Sequence, residues 1–146
     1  MNEMPNPDKS SGEDIESTRN FANDMIASDF DQLSDEEQAA VDALPSGNAL
    51  LIVRRGPNKG ARFLLDEDLN TVGRHPNADV FLDDVTVSRR HAEISREDGK
   101  FTVTDLGSLN GTYYEGNLVE SQVLANQAEL QIGKFHLTFY SSGKDN

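Results

Sequence analysis

The sequence predicts an all-β domain, a sandwich of two antiparallel sheets, carried behind an acidic tail. Three observations lead there. From Ala49 onward, apolar residues recur with a period of two in short runs. Turn chemistry such as Gly56-Pro57-Asn58-Lys59-Gly60, Glu97-Asp98-Gly99 and Glu115-Gly116-Asn117 separates them. No helical spacing interrupts the series, and strands at intervals of about ten residues suit a sandwich or barrel.

Residues 1–46 form the tail, polar and expected to be mostly disordered because it has too few apolar residues to fold alone. Two stretches within it have helical character. Ala22, Ile26, Phe30 and Leu33 recur at helical spacing, and Ser34-Asp35-Glu36-Glu37 is a capping-box pattern ahead of Ala39, Ala40, Val41 and Leu44. Both are short, so each needs a surface to fold against. Pro45-Ser46-Gly47 ends the second stretch and marks the start of a domain expected over 47–141, with 142–146 as a disordered C-terminus. Strands are expected at 49–55, 61–65, 70–73, 79–82, 91–96, 101–105, 111–114, 129–132 and 135–140. Phe63, Leu65, Val80, Phe101, Val103, Ile132, Phe135, Leu137 and Phe139 are the expected core.

Composition narrows the function. The 146 residues suffice for one domain of about 100 plus the tail. Cys is absent, so there is no disulfide framework and no thiolate metal site. No apolar run approaches the roughly 20 residues of a membrane helix. Met1-Asn2-Glu3-Met4-Pro5-Asn6-Pro7 lacks the basic and apolar regions of a signal peptide, so the cytoplasm is the expected location. The formal charge of −13 is uneven, with 12 acidic against 2 basic residues in 1–46, and 14 against 11 in 47–146. Such a chain repels nucleic acid and anionic membranes. Its basic residues therefore read as a local anion site.

Three polar clusters stand between the apolar runs: Gly73-Arg74, Ser88-Arg89-Arg90-His91 and Asp105-Leu106-Gly107-Ser108-Leu109-Asn110-Gly111-Thr112. A phosphate dianion needs donors at several angles, and a guanidinium fork, a hydroxyl and an amide supply them. Arg74 follows a glycine at a strand end, Ser88 and Arg89 sit in an irregular polar loop, and Asn110-Gly111 reads as a tight turn of positive φ that presents the amide outward. Any one surface arginine is as readily a solvated charge. Three such clusters in order are not.

Gly73-Arg74, then Ser88-x-x-His91, then Asn110-Gly111 about twenty residues on, resembles the forkhead-associated (FHA) domain, a β-sandwich that binds phosphothreonine. The resemblance spans 47–141. Arg55-Gly56-Pro57-Asn58, Gly73-Arg74-His75-Pro76, the run from Phe81 to Glu93 and Gly107 to Tyr113 are similar to the small actinobacterial FHA regulators, the group of the glycogen accumulation regulator and the 2-oxoglutarate dehydrogenase inhibitor. By that resemblance, Arg74, Ser88 and Arg89 hold the phosphate and Asn110 bonds the peptide backbone beside it. His91 braces the loops, Gly73 and Gly111 set turn geometry, and Ser108 supports the loop; Arg90 reads as a solvated charge.

The same resemblance implies a use for the tail. In those regulators, a tail motif phosphorylated by Ser/Thr protein kinases folds back onto the domain and blocks partners. The matching segment is Ile15-Glu16-Ser17-Thr18-Arg19-Asn20-Phe21, in which Ser17 replaces a threonine and Arg19-Asn20 depart from the family's small or apolar residues. Thr18 is the tail's one threonine and the expected phosphorylation site. The unphosphorylated form is expected to bind and modulate 2-oxoglutarate dehydrogenase and glutamate enzymes, as a monomer and without a cofactor. A generic FHA adaptor with a passive tail is the alternative. A hydrolase triad of Ser88, His91 and Asp105 lacks a nucleophile elbow, and His75, His91 and His136 lack metal-ligand spacing. No catalytic or metal site is therefore expected.

Overall fold

The computed structural model describes residues 33–142, and a compact unit runs from Asp35 onward. Its elements are one helix, α1 (Asp35–Asp42), and strands β1 (Ala49–Arg55), β2 (Arg62–Leu65), β3 (Leu69–Gly73), β4 (Val80–Phe81), β5 (Ala92–Glu97), β6 (Lys100–Asp105), β7 (Thr112–Tyr114), β8 (Asn117–Val119), β9 (Ser121–Val123), β10 (Glu129–Ile132) and β11 (Phe135–Ser141). They form two sheets, ordered β2-β1-β11-β10-β7-β8 and β4-β3-β5-β6-β9. The expected two-sheet all-β fold is thus present. One pairing departs from the antiparallel rule: β4 lies parallel to β3, with Val72 opposite Val80. The crossover between them frees residues 74–79 as a loop.

Two strands were not legible from the period. β8 and β9 are three residues each, and both are sheet edges, β8 on β7 and β9 on β6. Leu118 and Val123 point into solvent, so neither strand shows the alternation that half-burial imposes. Between them, at Glu120, the chain passes from one sheet to the other, and the Glu120 carbonyl accepts the Asp105 N–H.

The core lies where the inner faces meet. Leu65, Val80, Phe101, Val103, Ile132, Phe135, Leu137 and Phe139 are buried there as expected, joined by Leu51, Val53, Val72, Ile94 and Leu130. Phe63 packs half-buried at its margin. β1 departs from simple alternation, because Ala-Leu-Leu-Ile-Val is buried on both faces. Ala49, Leu51 and Val53 face the core, whereas Leu50 and Ile52 point the other way and are still 7% and 0% exposed. The segment ahead of β1 is tied to this outer side. Glu37 of α1 accepts a 2.8 Å bond from Arg54, the Glu36 carbonyl accepts one from Arg62, and Leu44 is buried with its carbonyl bonded to Ser142. Asp35, Glu36 and Glu37 also fill the first turn of α1, where the helix dipole favours carboxylates.

Phe101 and Phe139 meet edge to face across the sandwich, with ring centroids 5.4 Å apart. Truncating a fully buried aromatic removes its transfer energy and leaves a cavity. Phe139→Ala is therefore expected to lower the unfolding free energy by about 3–5 kcal/mol, read from the midpoint shift in urea denaturation.

Candidate functional site

Four connections are bonded together at one end of the sandwich: 74–79, 82–91, 106–111 and the Gly133-Lys134 turn. The first begins at Gly73. A Cβ on Gly73 would stand 2.0 Å from the Arg89 carbonyl oxygen, so the glycine is needed for close approach. The Arg74 N–H donates to the Ser88 carbonyl at 3.0 Å, and Arg74 Nε donates to the Val87 carbonyl at 3.1 Å. This pins the guanidinium by its inner nitrogen. Its two terminal nitrogens bond to nothing among the described residues, on an exposed side chain.

Ser88 is half-buried, and its Oγ accepts the Leu109 N–H at 3.0 Å. The hydroxyl proton stays available to an anion. Arg89 and Arg90 follow with exposed side chains. His91, 0% exposed, sits beneath. Its Nδ1 accepts the Ser88 N–H at 3.1 Å, so the ring proton belongs on Nε2, which donates to the Gly111 carbonyl at 2.9 Å. One buried ring thus joins two loops. Neither nitrogen reaches the Ser88 hydroxyl or the Asp105 carboxylate, so these three residue types do not form a relay.

The Asn110-Gly111 turn takes the expected positive φ at Gly111 (87°), and it is the amide of Asn110 that departs from expectation. Its amide is turned across the site rather than outward, and Nδ2 donates to the Thr86 carbonyl at 2.9 Å. Oδ1 keeps its accepting capacity. Arg74, Ser88 and Asn110 are thereby brought together through direct bonds among Val87, Ser88, Leu109 and Thr86. Arg89 shares the loop with its side chain in solvent. Thr18 lies outside the described residues.

Residues 70–133 match the FHA domain family model. The glycogen accumulation regulator GarA of Mycolicibacterium smegmatis is 59% identical over 108 residues, covering 74% of this chain and 68% of that protein. This chain belongs to the FHA-domain family. The oxoglutarate dehydrogenase inhibitor of Corynebacterium jeikeium is 49% identical and covers 90% of this chain and 92% of its own length. A solved structure described in terms of phosphothreonine-dependent FHA domain interactions aligns with a TM-score of 0.62 at 28% identity, over 66% of this chain and 99% of that one.

Within this FHA fold, Asp105 has a part that its sequence position does not announce. Its Oδ2 accepts the N–H groups of Gly107 and Ser108, and its Oδ1 accepts the hydroxyls of Ser108 and Thr112. Ser108 Oγ in turn accepts the Gly111 N–H at 2.9 Å. Asp105 therefore shapes the loop that ends in Asn110. The signal was an Asp followed by Gly and Ser two and three residues on, the pattern of a carboxylate that closes a turn on its own backbone. Thr86 and Asp84 were also missed: Asp84 Oδ2 accepts both the N–H and the hydroxyl of Thr86. Those bonds, the side-chain one foremost, together with the fields of Lys134 and Arg74, hold the Asp84 carboxyl below its usual range.

Partial burial alone would raise the carboxyl of Asp105, but the bonds from Ser108, Thr112 and the Gly107 N–H outweigh it and the group titrates below its ordinary value. A depressed folded value contributes stability that is complete above the unfolded value of about 4 and lost as pH falls through the folded one. The melting-temperature gap between the wild type and Asp105→Asn is expected to be constant above about pH 5 and to narrow below about pH 4. Thermal melts across that range measure it.

Proposed function

We propose that this protein is a non-catalytic, phosphothreonine-binding regulator that acts on 2-oxoglutarate dehydrogenase and related glutamate-metabolism enzymes in the cytoplasm, and that phosphorylation of its own tail switches it. The observation that carries the binding reading is the exposed Arg74 guanidinium, fixed through Nε to the Val87 carbonyl with both terminal nitrogens unbonded among the described residues, on loops that also carry the Ser88 hydroxyl. A pinned fork loses little freedom when it takes up a phosphate. In this reading, Arg74, Ser88 and Arg89 receive the phosphate, and Asn110 bonds the peptide backbone. His91, Gly73, Ser108 and Gly111 hold the loops that carry them. The target enzyme is inferred from the relatives, an oxoglutarate dehydrogenase inhibitor and a glycogen accumulation regulator.

Thr18 is the proposed site for Ser/Thr protein kinases, and the phosphorylated tail the proposed internal ligand. Thr18 precedes Gly47 by 29 residues, and Asp35, where the compact unit begins, by 17. A random-coil segment of 17 residues spans roughly 20–25 Å, within the dimensions of a domain of about 100 residues. Tethering of this kind gives an effective concentration in the millimolar range. Against a micromolar affinity it favours closure by about 10³, or roughly 4 kcal/mol. The closed monomer then has its site filled and releases its enzyme partners.

Installing phosphothreonine at position 18 is expected to shift the amide resonances of Arg74, Ser88 and Asn110 at any protein concentration, and to relieve inhibition of 2-oxoglutarate dehydrogenase. Arg74→Ala should abolish both effects, and weaken a phosphothreonine peptide in trans by about 10–150-fold, the loss of one charge-assisted bond of about 1.5–3 kcal/mol. Binding in trans with unchanged loop resonances after Thr18 phosphorylation would leave a plain phosphothreonine adaptor with a passive tail.

A further inference from the structure

Thr86 touches none of the groups assigned to the phosphate, yet it binds two other loops of the site at once. Its Oγ1 accepts the Lys134 N–H at 2.9 Å from the β10–β11 turn, and its carbonyl accepts Asn110 Nδ2 at 2.9 Å from the β6–β7 loop. The hydroxyl proton has one destination, Asp84 Oδ2 at 2.6 Å, which also takes the Thr86 N–H at 2.9 Å. With the proton committed to a carboxylate, the oxygen lone pairs are left to face Lys134. Gly133 makes room for the contact, because a Cβ there would stand 2.4 Å from Thr86 Oγ1 and 2.9 Å from its carbonyl oxygen.

The phosphate-facing donors hang on different atoms. Arg74 is fixed by the Val87 and Ser88 carbonyls, and Ser88 Oγ by the Leu109 N–H. The two halves of the site therefore rest on different acceptor atoms of the same bonded loops. We propose that Thr86 is the positioning residue of the peptide-reading half: through its hydroxyl it sets the carbonyl on which the Asn110 amide rests, and so fixes how the site grips the chain beside the phosphate. The inference rests on the phosphothreonine reading above and deepens it. Asn110 is not placed by its own loop alone, since its exposed side chain bonds only to Thr86 among the described residues. Thr86 gives it a fixed reference, and Asp84 gives Thr86 one.

Two ligands separate the halves: O-phospho-L-threonine, which offers only the phosphate and its own side chain, and a tail peptide of this chain phosphorylated at Thr18. Thr86→Val keeps the branched shape and removes the oxygen. It is expected to weaken the peptide about tenfold in titration calorimetry while leaving O-phospho-L-threonine, followed by amide shifts, unchanged. Thr86→Ser should restore the peptide affinity, and Thr86→Val should cost nothing further when added to Asn110→Ala. Equal weakening of both ligands, or no change in either, overturns the proposal. If thermal melts show Thr86→Val unfolded, Thr86→Ala supplies the same comparison. Failure of the wild type to bind either ligand would instead overturn the phosphothreonine reading itself.

Discussion

The site depends on the buried ring of His91. Its two nitrogens take up the Ser88 N–H and the Gly111 carbonyl, and its own backbone bonds to Val72 and Leu106. Strand β3 and the two loops that carry Ser88 and Asn110 thus meet at one residue. An aliphatic residue of that size would fill the space and leave a buried N–H and a buried carbonyl unpaired, a loss of about 1–3 kcal/mol each. The ring satisfies both at once, and in doing so fixes the spacing between the loops. Arg74 then inherits its position, because the carbonyls that hold it belong to the loop His91 has fixed.

Electrostatics explains how an acidic protein keeps an anion site. The net charge of −13 is concentrated in the tail, while Arg74, Arg89, Arg90 and Lys134 lie in or beside the loops at one end of the sandwich. Four carboxylates, Asp79, Asp83, Asp84 and Asp105, do stand in or beside those loops, and three of them are engaged by the protein itself, Asp79 by the N–H and hydroxyl of Thr71. Asp105 spends its oxygens on four donors of its own loop, and Asp84 on Thr86. Carboxylates consumed in this way organise backbone, whereas the cationic ends of Arg74 are left open. Charge segregation here works over single residues, well inside the Debye length of about 8 Å at physiological salt.

Much of this was legible in the chain. The period of two from Ala49, and the turns that punctuate it, located nine of the strands and eight residues of the buried core, because half-buried strands must alternate. The capping box at Ser34–Glu37 anticipated α1, since an acidic first turn favours helix wherever a surface is at hand. β8 and β9 were hidden for the converse reason. Edge strands of three residues are held by backbone bonds to a single neighbour, and such bonds leave no mark on side-chain chemistry. β1 was located at its expected bounds, but it does not alternate, because Leu50 and Ile52 are buried as well as Ala49, Leu51 and Val53.

Sequence by itself determined the fold class and the identity of the polar clusters, because hydrophobic period and donor chemistry are properties of the residues. Only the tertiary structure decided what those residues do to one another. Asn110 turns toward Thr86 and not toward solvent, Gly73 serves close approach and not a left-handed turn, and His91 bonds backbone and not Ser88 Oγ. Each of these depends on which groups lie within about 3 Å across loops many residues apart. Spacing along the chain carries no such information until the sheets have closed.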